Sequence, residues 1–129
     1  MKIEDLRIRY PELLPKTPYW SFMPEGWLPL FAQLCKDIDD AAARHNVKRS
    51  DPEYSQVAQF KVKFSEMRAY VDCSHKALLE DIWELTNEAA MKSRKICSEC
   101  GGKAVWRNES YVRNFCDPCE REFQLNRGG

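Results

Sequence analysis

The chain's clearest chemical groups are Cys97-Ser98-Glu99-Cys100 and Cys116-Asp117-Pro118-Cys119, separated by fifteen residues. Two residues between paired cysteines let both sulfurs of a turn face one point. The spacer is long enough for a hairpin that brings the second pair opposite the first. Four thiolates complete a tetrahedral shell and leave no open position for water or substrate. The spacing therefore predicts one structural Zn2+ held by Cys97, Cys100, Cys116 and Cys119 in a zinc ribbon, with no catalytic chemistry at the metal. Redox dithiols and a disulfide framework compete with this reading, and the paired spacing favours zinc over both. Cys35 and Cys73 lie outside the pairs and read as small core residues.

Other groups invite a chemical reading more weakly. Lys61, Lys63 and Arg68, with Glu66, could line a polar pocket for a nucleotide or phosphate, against the plainer reading of an exposed charged face. Within the ribbon, Trp106 and Tyr111 are available for base stacking beside Arg107 and Arg113. Between Ser93 and Gly129 there are seven Lys and Arg against five Asp and Glu. Four thiolates with one zinc add about two negative charges, so the ribbon is near neutral and short of a strong phosphate-tracking surface. His45 and His75 stand outside any triad-like spacing and read as isolated surface histidines, so no enzyme is expected. Asp37, Asp39 and Asp40 read as a solvated face.

These groups need a scaffold. Up to residue 26, Pro11, Pro15, Pro18 and Pro24 lie among Tyr10, Tyr19, Trp20 and Phe22. Prolines at this density forbid a long helix, and so many aromatics argue against a disordered tail. Residues 1–26 are expected to form an extended arm anchored on the core through its rings. From Gly26, Trp27, Leu30, Phe31, Leu34, Cys35 and Ile38 recur at helical steps, with Pro29 tolerable in the first turn. A polar linker over 45–53 leads to Ala58, Phe60, Val62 and Phe64 alternating with Gln59, Lys61 and Lys63, a strand pattern. The alternation resumes as Met67, Ala69 and Val71 after Ser65-Glu66. Neither turn residue takes positive φ easily, so a loop longer than two residues is expected.

Ser74 then caps a second long helix, with Leu78, Ile82, Leu85 and Ala89 as its inner stripe, broadened by Leu79, Trp83 and Ala90. It ends near Ser93 and delivers the chain into the first cysteine pair. Residues 103–106 and 111–115 read as the ribbon's strands and residues 120–125 as a short terminal helix. The expected fold is α+β: two long helices packed on a β-hairpin over residues 27–95, with a four-cysteine zinc ribbon over 96–129.

Composition narrows the functional class. Twenty basic and twenty acidic residues balance, 43% of residues are hydrophobic, and no segment has the apolar length to cross a bilayer. The amino terminus turns acidic at once and lacks the apolar core of a secretory signal, which points to a reducing cytoplasm.

The chain carries Arg9-Tyr10-Pro11-Glu12-Leu13, then Gly26-Trp27 with Leu30, Leu34 and Cys35, and Gln59-Phe60-Lys61-Val62-Lys63-Phe64. Met67-Arg68 with Tyr70-Val71, and Ser93 before Cys97-Ser98-Glu99-Cys100-Gly101, follow. Together these stretches resemble small uncharacterised zinc-ribbon proteins of phages and prophages. Ser65 stands where that family carries Gly, and Ala69 where it carries Phe. The resemblance implies a phage accessory role in the host cytoplasm and brings no activity. Three classes follow, in order: an adaptor or inhibitor that binds a host or phage protein, a nucleic-acid-binding ribbon, and a small-ligand or enzymatic role. Neutral charge and abundant aromatics favour the first.

Overall fold

Two long helices and a hairpin share one apolar core, and they form where the sequence periodicity places them. The computed structural model describes residues 2–15, 23–105, 107–108, 112–113 and 115–128. Helix α1 spans Ile3–Arg9, and a 3-10 turn over Glu25–Trp27 leads into α2, Leu28–Arg44. Strands β1, Gln56–Lys63, and β2, Glu66–Asp72, form an antiparallel two-stranded sheet. Helix α3, Lys76–Ser93, packs against both α2 and β2. Two-residue strands β3, Arg107–Asn108, and β4, Val112–Arg113, pair with each other, and α4, Asp117–Gly128, follows. Among the described residues, no helix is long and apolar enough to cross a membrane.

Helix α2 buries Leu28, Phe31, Leu34, Cys35, Ile38, Ala41 and Ala42, a stripe at three- and four-residue steps. Its end is a Schellman motif. Asn46 takes φ 58°, its N–H donates to the Ala43 carbonyl at 3.1 Å, and the Val47 N–H donates to the Ala42 carbonyl at 2.8 Å. The linker that follows is held in place. Asp39 accepts from Arg49 at 2.9 and 3.1 Å and from the Tyr54 hydroxyl, so it anchors the linker where a merely solvated face was expected.

Further expectations are corrected. Residues 3–9 form a helix where an extended arm was expected. The described part of that arm anchors chiefly through Leu6, Leu13 and Leu14, with Tyr10 the one buried aromatic among residues 2–15. Tyr19, Trp20 and Phe22 lie outside the described residues. The hairpin closes in two residues, Phe64 and Ser65, at φ 52° and 56°, where a longer loop was expected. The two left-handed residues match the strand twist, as a tight two-residue turn requires, at the usual cost for side-chain-bearing residues. Along β1 a bulge between Val57 and Gln59 shifts the phase, so Val57 rather than Ala58 joins Phe60 in full burial, and toward the turn Val62 and Phe64 are exposed. Finally, α3 is capped by His75, whose Nδ1 accepts from the Leu78 N–H at 3.1 Å, where Ser74 was expected. Trp83, expected to broaden the inner stripe, is 55% exposed.

Candidate metal centre

The first cysteine pair is built where α3 runs out. Ile96 bridges to Lys103 in antiparallel fashion, and two backbone bonds close the loop between them. Cys97 N–H donates to the Gly102 carbonyl at 2.7 Å, and Gly101 N–H donates to the Cys97 carbonyl at 2.8 Å. Gly101 sits at φ +82°, a conformation that side chains disfavour, and turns the chain sharply enough to aim Cys100 back toward Cys97. Gly102 N–H then donates to the Cys100 sulfur at 3.4 Å. The second pair opens α4: Pro118 occupies the first turn, and Cys116 and Cys119 lie one helical turn apart. The Val105 N–H donates to the Phe115 carbonyl at 3.1 Å and joins the two halves.

The four Sγ atoms lie within 4.8 Å of one another, and Cys100 Sγ stands 3.5 Å from Cys116 Sγ. A tetrahedral shell with metal–sulfur bonds of about 2.3 Å puts its sulfurs about 3.8 Å apart, so this arrangement fits a four-sulfur metal site. Its electrostatics point the same way. Burial acts to raise the Cys97 thiol, but backbone N–H groups of Cys116, Cys100 and Glu99 outweigh it and bring it down to about 7. The Cys119 thiol is pushed up, first by its hydrogen bond to Cys116. The Cys97 sulfur thus ionises readily while that of Cys119 resists, a conflict that a shared cation would relieve.

The core grips this site. Gly26 N–H donates to the Ser98 carbonyl at 2.9 Å, and the indole Nε1 of fully buried Trp27 donates to the Ile96 carbonyl at 2.9 Å. A Cβ on Gly26 would meet the Cys97 carbonyl and stand 2.7 Å from the Gly101 nitrogen. Nothing larger than glycine fits there. The sequence pattern shows Gly26 and Trp27 only as a helix start, and no local signal connects them with cysteines seventy residues later.

The remaining candidate residues are dispersed. Lys61 Nζ lies 5.2 Å from the Tyr70 ring and Lys63 Nζ 5.7 Å from the Phe64 ring. Arg68 and Glu66 do border a shared space, a groove of about 560 Å³ between β2 and α3, but Lys61 and Lys63 do not line it. Arg107 and Arg113 are cross-strand partners in the backbone register, with their side chains outside what is described. Trp106 and Tyr111 lie outside the described residues altogether.

Cys35 is fully buried, its thiol pushed up to about 12 by desolvation, as befits a core residue. The histidines are not isolated. His45 Nε2 lies 2.7 Å from an Asp81 carboxylate oxygen, and its ring centroid is 5.4 Å from that of His75. Separations of thirty and thirty-six residues hide this cluster from any motif search. No family model matches the chain, and no curated protein or solved structure matches it.

Proposed function

We propose that this chain is a non-enzymatic, zinc-stapled protein-binding adaptor. In keeping with the resemblance of its sequence, we place it as a phage accessory protein in the host cytoplasm. Zinc is the metal that suits four converging cysteine sulfurs, because a soft d¹⁰ ion accepts a closed tetrahedral thiolate shell without geometric penalty. With its four ligand positions filled and the first cysteine loop held against the Glu25–Trp27 turn through Gly26, such an ion serves shape rather than reaction.

The observation that carries the adaptor reading is the exposure of large apolar side chains on the hairpin turn and on α3 of a charge-balanced chain. Phe64 at the hairpin tip is 62% exposed, and Trp83 and Met91 on α3 are 55% and 68% exposed. Aromatic and methionine side chains held on rigid elements are the usual anchors of protein interfaces. The test is purification of the tagged protein from expressing cells, with and without nuclease, and with metal content measured on the same sample. The adaptor reading requires one protein partner at stoichiometric yield that survives nuclease, and zinc at one equivalent.

Nucleic-acid binding is the second reading, favoured by the register that sets Arg107 across from Arg113 on one short hairpin. Nucleic acid recovered without a protein partner, bound with a steep loss as salt rises, replaces the first reading with this one.

A further inference from the structure

The hairpin is a two-stranded sheet, so both of its outer edges need a partner. The chain supplies one for β1: the Val57 N–H donates to the Leu13 carbonyl at 2.8 Å. On β2, among the described residues, it supplies one at a single point, where the Met67 N–H donates to the Ser93 hydroxyl at 2.9 Å. In an antiparallel ladder alternate residues face their partner strand and the rest face away. Met67 faces away from β1, so Ala69 and Val71 turn their N–H and C=O the same way. Among the described residues, no hydrogen bond is made to either outward amide. This open edge borders the groove of about 560 Å³ whose far wall is α3, with Trp83 standing on it. From Arg68 to Asp72 the edge runs about 13 Å at ~3.3 Å per residue, room for four residues of an added strand.

The charges at one end of the groove are unequal. Arg94 donates to Glu66 Oε2 at 2.7 and 2.9 Å and takes most of that buried carboxylate. Arg68 shares the same carboxylate only loosely, with Oε1 at 3.9 Å, and its Nε is buried without a hydrogen-bond acceptor. Two guanidinium groups therefore face one carboxylate, and the positive charge it leaves unmatched stands on Arg68 in the groove lining, where an anion can pair with it.

We propose that this groove binds an extended segment of a partner protein as a third strand on β2, with an acidic side chain of that segment against Arg68 and an apolar one against Trp83. Main-chain pairing to Ala69 and Val71 supplies affinity, and the two side-chain contacts supply sequence preference. The inference rests on the adaptor reading and specifies where and how the partner docks.

The test pans a displayed library of random dodecapeptides against the full-length, zinc-loaded protein. A selected peptide is then titrated against the wild type and against Ala69→Pro, Arg68→Gln and Trp83→Ala. Proline at 69 removes an outward N–H and leaves the β1 ladder intact, so the variant is expected to fold, as its melting curve will report. The selected peptides should share an acidic position, and each substitution should weaken binding tenfold or more.

A second arm leaves the protein untouched: N-methylating alternate peptide amides should abolish binding in one phase and spare it in the other. Peptides insensitive to the groove variants and to both methylation phases, yet lost on Phe64→Ala, overturn the groove while the adaptor reading stands. No enriched peptide, with nucleic acid retained instead, overturns both.

Discussion

The core around α2, α3 and the hairpin and the region beyond Cys97 are held together by different physics. The first buries Trp27, Phe31, Phe60, Leu13, Leu14, Ile38 and Ile82 almost completely. In the second, Cys97 and Ser98 are buried, but no described residue after them is, and Phe115 and Phe123 meet edge to face while each stays partly exposed. Removing apolar surface from water stabilises the first region in proportion to area. With so little area buried among its described residues, this segment needs cross-linking, and the four converging sulfurs fit a metal that would provide it.

The comparison can be broken at its strongest point first. Cys116→Ser or Cys119→Ser should release the metal and unfold the region beyond Lys103, because metal-binding free energy there, roughly 10 to 16 kcal/mol for structural zinc, is folding free energy. Far-UV circular dichroism should lose the signal of α4 while that of α2 and α3 persists. Zinc retained at one equivalent in both variants would refute the account. Ile82→Ala addresses the other region and should cost about 2 to 5 kcal/mol in chemical unfolding, with zinc content unchanged. An unmoved midpoint would mean that α3 does not bury this face.

Gly26→Ala tests the seam between the regions. Its Cβ collides with backbone, which cannot move aside as a side chain could, so a loss of about 1 to 3 kcal/mol is expected, together with weaker zinc retention against a chelator. A change in core stability alone would mean that the two regions are not coupled there. Ser65→Gly should act in the opposite direction, stabilising by about 1 kcal/mol, since Ser65 sits at φ 56°. A lower melting temperature would show that the serine makes a contact worth more than its backbone strain.

The smallest effect concerns pH. Arg49 beside Asp39 holds that carboxyl below its usual value of 3.8, with the Tyr54 hydroxyl acting in the same direction. The folded carboxyl loses its proton more readily than the unfolded one. This contribution to stability is therefore fully present above about pH 4 and is lost as pH falls through the lowered value. Core unfolding midpoints between pH 7 and pH 2.5, compared with those of Asp39→Asn, should converge at the acid end. Parallel curves would deny the link.

Much of this was legible in the chain. Helical spacing in α2 and α3 is a local property, and the cysteine pairs announce themselves by a spacing that few other structures need. The errors share a cause. The bulge at Ala58, the two-residue turn at Phe64-Ser65 and the outward face of Trp83 break a period because of neighbours distant in sequence, and a period carries no information about neighbours. The histidine pair and the Arg49–Asp39–Tyr54 link escaped for the same reason: each joins segments whose approach is set only once the helices have packed.

The sequence alone determined that one helix with an apolar face would start near Gly26 and another run from Ser74 to near Ser93, that a hairpin would lie between them, and that four cysteines would converge. Hydrophobic periodicity and ligand spacing are local, so they survive being read one residue at a time. Tertiary structure alone decided that Gly26 and Trp27 would clasp the first cysteine loop. It also left the edge of β2 open beside α3, with Arg68 short of an acceptor. Both outcomes depend on which surfaces meet when the core condenses, and close packing settles that for the whole chain at once.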